Sequence, residues 1–139
     1  MSISAGDILF FNEYLFTDTG ETKPHYALAL LPQSATKYQS NLFCCVITSR
    51  EPRVWGMLLL SKRYPCFSKD SYSCFNRKDL VPAAGLSENL DTLKIGDRKK
   101  AFKILKKSLY VIKDTLGDDA FMRAVIIREW KKTISAWGK

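Results

Sequence analysis

A chain of 139 residues that is 46% hydrophobic and 26% charged can bury one core, which excludes a chain that is disordered by composition. No apolar run approaches the roughly 20 residues that span a bilayer. The N-terminal segment MSISAGDILFF also lacks a basic region and an A-x-A-like cleavage motif, so we expect no signal peptide and a cytoplasmic location.

The net charge of +8 is concentrated in the C-terminal third of the chain. Residues 1–96 carry ten Lys and Arg against nine Asp and Glu, whereas residues 97–139 carry twelve against five. This asymmetry is typical of chains that bind nucleic acid or another acidic partner.

The first 87 residues alternate short apolar runs with polar, turn-rich connections, which indicates strands. The runs DILFFNEYLF, HYALALL and LFCCVIT predict three strands, over residues 7–16, 25–31 and 42–48. The third run is apolar on both alternating faces, so we expect both of its faces to be covered. Two more strands are predicted over 54–60 and 73–81. Several short strands with no helix between them predict a small barrel.

Residues 88–139 show helical spacing instead. The first predicted helix is capped by Asp97 and ends at Leu116, before Gly117. The second begins at Asp118 or Asp119, whose carboxylates suit a helix N-terminus. The two apolar stripes contain Phe102, Leu105, Leu109, Ile112 and Leu116 in the first helix, and Met122, Ile126, Trp130, Ile134 and Trp137 in the second. The sequence thus predicts a β-barrel over 1–87, followed by a basic two-helix extension over 88–139.

The four cysteines show no spacing typical of a zinc site. Cys44 and Cys45 are adjacent within an apolar run, and neither a C-x-x-C motif nor paired histidines accompany them. We interpret all four as structural thiols and expect no metal.

Several segments of the first part occur in an order that a known family shares. GDILFF opens a strand, a polar loop follows, PHYALALLP is an apolar strand, and CCVITS ends in Thr-Ser. The later KDLVPAAGLS is similar to that family's last barrel strand and its exit. Over about residues 5–87 the chain resembles the MazF/PemK toxin endoribonucleases of type II toxin–antitoxin systems. The resemblance implies a small SH3-like or CcdB-like barrel, usually a homodimer, that cleaves single-stranded RNA without metal or cofactor and is held by an antitoxin.

The family's catalytic residue is typically an Arg followed by Pro at the start of the second strand. An ungapped comparison places His25 and Tyr26 there, whereas a shifted comparison would match Lys23 and Pro24. We favour the ungapped comparison because it also aligns the strand that follows. Under either comparison, this chain has no Arg at the family's catalytic position.

The catalytic candidates are therefore His25, Lys23, Thr48 and Ser49, the last two corresponding to a Thr or Ser that ends the family's third strand. Metal-free RNA cleavage needs a base for the 2′-hydroxyl proton, an acid for the leaving oxygen, and donors or cations for the charged phosphorane. An imidazole exchanges a proton near neutral pH, an ammonium neutralises phosphate, and hydroxyls donate hydrogen bonds. Glu21 is an alternative base.

The RNA-binding candidates come just after Thr48 and Ser49 in the sequence. They are Arg50, Arg53 and Trp55. Basic residues interleaved with an aromatic ring are typical of grooves for single-stranded nucleic acid, where phosphates meet cations and bases stack on rings. Tyr72, Phe75 and Arg77 repeat the pattern further along the chain.

Other functions remain open from the sequence. Because the family Arg is missing, the barrel could instead be a catalytically inactive module that binds nucleic acid or protein. The tail could mediate oligomerisation. Its lysine-rich helix face could contact RNA, bind an acidic partner or simply be solvated.

Overall fold

The computed structural model describes residues 3–16, 19–35, 40–107 and 120–139. Six antiparallel strands form one sheet in the order β4-β5-β3-β2-β1-β6, and two helices follow. The strands are β1 Asp7–Leu15, β2 Thr22–Ala29, β3 Asn41–Thr48, β4 Gly56–Leu59, β5 Ser71–Pro82 and β6 Leu86–Thr92, and the helices are α1 Ile95–Lys107 and α2 Ala120–Trp137. The predicted fold class, mainly β with a helical C-terminus, is confirmed.

The sheet curls on itself in the manner of a small barrel. β2 and β3 lie between β1 and β5, yet the Tyr14 hydroxyl of β1 donates a hydrogen bond of 3.4 Å to Asp79 of β5. Register shifts interrupt β1 between Phe11 and Tyr14, and β3 between Cys45 and Ile47. Such irregularities increase local bend and twist, which lets a short sheet close over its own side chains.

Each face of the sheet has its own apolar core. The face inside the curl is filled by residues such as Leu9, Phe11, Ala27, Cys44 and Val81. The opposite face is covered by α1, α2 and the segment between β4 and β5, through residues such as Phe43, Phe67, Leu105, Trp130 and Trp137.

β3 lies between these two cores, as its apolar run predicts. All six residues from 42 to 47 are buried. Successive side chains of a strand point to opposite faces, so a strand that is covered on both sides must be apolar throughout.

The Gly6-Asp7 pair joins the start of β1 to the end of β6. Gly6 adopts a φ of +92°, where a side chain would be strained. The buried Asp7 carboxylate accepts hydrogen bonds from the Ser4 backbone N–H at 2.8 Å and the Asn89 amide at 2.9 Å. The opening motif of GDILFF thus has a structural role in this chain.

β6 is a strand that the sequence analysis did not predict. It pairs with β1 along the sheet edge, from Asp7 opposite Thr92 to Phe11 opposite Leu86. The predicted division at residue 87 falls inside this strand. The two-part organisation stays a prediction, and the sheet itself extends to Thr92.

α1 begins at Ile95, two residues before the predicted cap. Asp97 lies inside the first turn and is buried, and its carboxylate accepts hydrogen bonds from the Tyr64 hydroxyl and from Arg63 at 3.2 Å. The same Tyr64 hydroxyl accepts a 2.9 Å hydrogen bond from the Lys94 backbone N–H. The prediction that Asp97 caps the helix was wrong, because the core segment 63–64 holds this carboxylate.

The two helices pack side by side. A Cβ on Gly138, just after α2, would lie 2.9 Å from the Phe102 ring of α1, so the helices meet closely there. Ile126, Trp130, Ile134 and Trp137 of the predicted α2 stripe are buried, as is Leu105 of the α1 stripe. Leu109, Ile112, Leu116, Gly117, Asp118 and Asp119 lie outside the described residues, as does the Met122 side chain. Among the residues described, neither helix is long and apolar enough to cross a membrane.

Candidate functional site

Three of the predicted catalytic residues line one open cleft of about 290 Å³. His25 comes from β2, whereas Thr48 and Ser49 come from the end of β3. Direct pairing of β2 with β3 brings these residues together, although they are more than twenty positions apart in the chain. Apolar residues, part of the loop before β5 and the first residue of β5 complete the lining: Phe10, Pro24, Tyr26, Ile47, Phe67, Ser68, Lys69 and Ser71.

His25 is half-buried, and its ring lies against aromatic neighbours at the end of β1 and directly after it. Its ring packs edge-on against Phe16, with centroids 5.4 Å apart, and lies 6.1 Å from the Tyr14 ring. Its Nδ1 lies 2.8 Å from the Tyr26 carbonyl oxygen. Since a carbonyl can only accept, Nδ1 carries the proton of the neutral ring and Nε2 keeps a lone pair. This tautomer leaves Nε2 as a base.

Thr48 and Ser49 lie where β3 leaves the sheet. Thr48 is half-buried, and its hydroxyl oxygen accepts a 3.3 Å hydrogen bond from the Arg50 backbone N–H, a turn typical of Thr at a strand end. A hydroxyl that accepts this bond still has its own proton to donate. Ser49 is exposed and adds a second hydroxyl to the same cleft.

Lys23 is not part of the cleft lining. Its ammonium lies 3.2 Å from the Glu21 carboxylate, and both side chains are more than half exposed. The predicted cation and the alternative base therefore face each other in solvent, at the start of β2. Their catalytic roles stay predictions.

Lys69 is a cleft residue that sequence reasoning missed. It lies in the polar segment SKDS, directly before β5, together with Ser68. The segment has no periodicity that would place it. It reaches the cleft because Thr48 of β3 pairs with Tyr72 of β5, which brings the residues before Tyr72 to the end of β3.

A hydrogen-bonded turn fixes the base of the loop that carries Lys69. Asp70 accepts hydrogen bonds from the Ser61 backbone N–H at 2.8 Å and from the Ser61 hydroxyl at 3.0 Å. These bonds stabilise the carboxylate and lower the pKa of Asp70. Both ends of the segment between β4 and β5 are therefore tied together at the cleft.

The cleft has an apolar floor made of three aromatic rings. Tyr26 stands between Phe10 and Phe67 and packs edge-to-face on both, with centroid distances of 5.1 and 5.2 Å. Edge-to-face packing of this kind is favourable and holds the rings in place. The arrangement combines a rigid apolar floor with a rim of hydroxyls, one ammonium and one imidazole.

Two of the predicted RNA-binding residues line a different cleft, of about 360 Å³. Arg53 and Trp55 face it together with Leu58 and Tyr72. Ser71 lines the cleft of His25 and Tyr72 the second cleft, as expected for neighbours on a strand. Arg50 is exposed and lines neither of these two clefts. The Arg77 side chain lies outside what the structure describes.

Trp55 has an unusual backbone conformation. Its φ is +55°, which is rare for a bulky residue and requires support from its surroundings. The Trp55 carbonyl accepts a 3.0 Å hydrogen bond from the Phe75 N–H, and the ring packs against the helix-covered core. The next residue must be glycine, since a Cβ there would lie 2.3 Å from Pro52.

Cys44, Cys45 and Cys74 are buried and Cys66 is half-buried, surroundings poorly suited to nucleophilic chemistry. Burial raises the pKa of the Cys44, Cys45 and Cys66 thiols, so the reactive thiolate is disfavoured. Among the described residues, His, Cys, Asp and Glu do not form a group of three that could hold a metal ion.

Comparison with models of known protein families found no match for this chain, and a search of curated proteins found none either.

Proposed function

We propose that this protein is a toxin-like endoribonuclease of the cytoplasm that cleaves single-stranded RNA without metal, leaves a 2′,3′-cyclic phosphate and is restrained by an antitoxin. The observation that supports the proposal is the convergence of His25, Thr48 and Ser49 on one cleft. Its volume of about 290 Å³ is near the lower end for small-molecule sites, as suits one nucleotide unit of a longer strand.

The proposed reaction begins at the 2′-hydroxyl of the nucleotide in the cleft. His25 Nε2 takes the hydroxyl proton, and the 2′-oxygen attacks the adjacent phosphorus. The bond from phosphorus to the 5′-oxygen of the next nucleotide breaks, and that oxygen leaves with a proton from water. The hydroxide left behind takes the proton from the His25 imidazolium, which regenerates water and the base. The products are a 2′,3′-cyclic phosphate and a free 5′-hydroxyl, so atoms and charge balance.

The remaining cleft residues stabilise the charged phosphorane. The Thr48 and Ser49 hydroxyls donate to its non-bridging oxygens, and the Lys69 ammonium supplies a positive charge. Lys69 takes the place for which the sequence analysis named Lys23, because Lys69 lines the cleft and Lys23 does not.

Product analysis tests this proposal. Purified protein is incubated with a mixed-sequence RNA and a chelator, and the new 3′ ends are identified. We expect 2′,3′-cyclic phosphates from the wild type and from Lys23→Ala, and roughly 10²–10⁴-fold slower formation of these products by His25→Ala. Products with 3′-hydroxyl ends, or activity that the chelator abolishes, would contradict the mechanism.

A binding module that does not cleave is the second candidate. It is favoured by the packing of the His25 ring against Phe16 and by its Nδ1 contact to a carbonyl, because both hold the ring against the sheet. On this alternative, wild type and His25→Ala bind RNA with equal affinity and neither yields products.

Two further parts of the proposal, that the protein is a homodimer and that an antitoxin binds it, rest on the family resemblance. Light scattering of the purified chain gives the oligomeric state directly. Co-expression with the product of a neighbouring reading frame tests for an antitoxin: it should suppress the RNA cleavage and co-purify with the protein.

A further inference from the structure

Among the described residues, a dense cluster of positive charge lies on α1, which contributes no residue to the lining of the proposed catalytic cleft. The described parts of the helical region, residues 95–107 and 124–139, contain ten Lys and Arg and two acidic side chains. Both acidic side chains are engaged. Asp97 is buried against Arg63, and Glu129 lies 3.6 Å from Arg128 and 3.5 Å from Lys132. Within these segments, the α1 lysines have no acidic side chain left to neutralise them.

The position of Lys103 makes this arrangement unusual. Its four neighbours on the helix surface, at three and four residues before and after it, are Lys99, Lys100, Lys106 and Lys107. All five side chains are exposed. Like charges at these spacings destabilise a helix, whereas an ordinary solvated helix face mixes both signs. The cluster therefore costs folding stability unless a polyanion covers it.

A shallow groove beside this cluster adds an apolar strip. Phe102 and Ile134 form its floor, and Lys106 and Lys131 stand at its sides, enclosing about 320 Å³. The Lys106 ammonium lies 5.8 Å from the centre of the Phe102 ring. Cations beside a partly exposed aromatic ring are the combination that binds single-stranded nucleic acid.

We propose that the lysine face of α1, with the groove to α2, binds the phosphate backbone of single-stranded RNA outside the catalytic cleft. The choice of RNA among polyanions rests on the proposed function. RNA is favoured over an acidic helical peptide because the groove offers two apolar side chains, whereas a docked helix needs anchors over two turns. Charge, not apolar area, dominates this surface.

The test measures binding of a labelled single-stranded RNA to the full chain in the His25→Ala background, so that cleavage does not interfere. Lys103→Glu should weaken binding roughly five- to tenfold at 0.1 M salt. The same substitution replaces four like-charge pairs by opposite-charge pairs, so the melting temperature should rise. A variant that is more stable yet binds less RNA separates a binding role from a structural one.

A second variant tests the electrostatic origin. Neutralising Lys99, Lys103 and Lys106 with Gln should reduce the slope of log affinity against log salt by roughly 2, at about 0.7 for each phosphate that is no longer neutralised. The matched control is Lys139→Glu, which makes the same charge change as Lys103→Glu at an exposed residue that lines a separate cleft with Arg98, and it should leave affinity within about twofold.

Two results would overturn the inference. One is a Lys103→Glu variant that gains stability but binds RNA as tightly as the Lys139→Glu control. The other is a wild type that prefers a polyglutamate peptide to RNA of equal charge. RNA binding that depends on α1, without cleavage by the wild type, contradicts only the proposed function. Normal cleavage with unchanged binding by Lys103→Glu contradicts only this inference.

Discussion

Lys78 is a buried ammonium in the body of β5, opposite Cys45 of β3. Its side chain is 1% exposed, and burial lowers the pKa of Lys78 from 10.5 to about 8. Desolvation disfavours the charged form, so the folded chain releases this proton at a pH where the unfolded chain still holds it. The residue is therefore a cost to folding at neutral pH.

This cost predicts a pH dependence of stability. Between about pH 8 and pH 10.5 the unfolded chain binds more protons at Lys78 than the folded chain, so the free energy of unfolding rises with pH. The full rise is up to ~3 kcal/mol for a pKa difference of this size. Replacing Lys78 with Met, a residue of similar length that does not titrate, should remove this rise with pH.

Denaturant unfolding of wild type and Lys78→Met across that pH range measures the difference. The difference isolates Lys78, because other groups such as Tyr64 titrate in both proteins. Curves that run parallel from pH 7 to 10.5 would show that Lys78 does not carry the burial penalty assigned to it.

Some of the residues that line the cleft could be predicted from the sequence, and others could not. The family resemblance named His25, Thr48 and Ser49, and the structure places them in one cleft. Lys69 could not be found this way, since it lies in an irregular segment whose position depends on the pairing of Thr48 with Tyr72. Contacts between distant segments are not visible in local patterns.

At the scale of elements, the docking of α1 depends on one phenolic hydroxyl. Tyr64 donates to the buried Asp97 carboxylate and accepts from the Lys94 N–H directly before the helix. Burial and the bond to Asp97 raise the pKa of Tyr64, which keeps the hydroxyl protonated.

Tyr64→Phe removes this hydroxyl and leaves the shape of the ring. We expect a loss of ~1–3 kcal/mol, because a buried carboxylate and a backbone N–H both lose a partner. Chemical denaturation measures it. A change below ~0.5 kcal/mol, as is usual for a surface substitution, would mean that Arg63 alone holds Asp97.

The connection from β5 to β6 depends on a glycine. Gly85 lies so close to β1 that a Cβ would be 2.1 Å from the Glu13 carbonyl oxygen. Gly85→Ala should therefore cost roughly 1–3 kcal/mol, since backbone must move to admit the methyl group.

The control is Gly96→Ala in the first turn of α1, where a Cβ meets nothing within 4 Å. It should be neutral or stabilising by up to ~1 kcal/mol, because alanine is the better helix former. Thermal unfolding of the two variants should therefore give melting temperatures on opposite sides of the wild type. A destabilisation of equal size in both would contradict the contact assigned to Gly85.

Element prediction succeeded where burial imposed a pattern. The strands β1 to β5 all contain apolar runs or alternation, and β3 is apolar throughout because cores lie on both of its faces. β6 was missed because LSENLDT is polar and lies at the sheet edge, where side chains need little burial. The start of α1 was misplaced because Asp is a residue type that often caps helices, whereas Asp97 is buried within the first turn of this helix.

At the scale of the whole molecule, the excess positive charge and the catalytic candidates lie in different parts of the chain. The lysine face belongs to α1, whereas the cleft belongs to the nearly neutral sheet. The helices also cover one face of that sheet through Trp130, whose ring packs edge-on against Phe43 of β3 at 5.4 Å. The sequence could predict the uneven charge and the helical stripes, but the surface on which the stripes pack depends on the curl of the sheet.

The proposed RNA cleavage depends most on His25, the base that starts it. The direct measurement is the single-turnover rate of cleavage of one RNA, in chelator and with protein in excess, for wild type and His25→Ala. We expect the variant to bind the RNA normally and to cleave it roughly 10²–10⁴-fold more slowly, as loss of a general base predicts. Equal rates in the two proteins, or no cleavage by the wild type, would contradict the assignment.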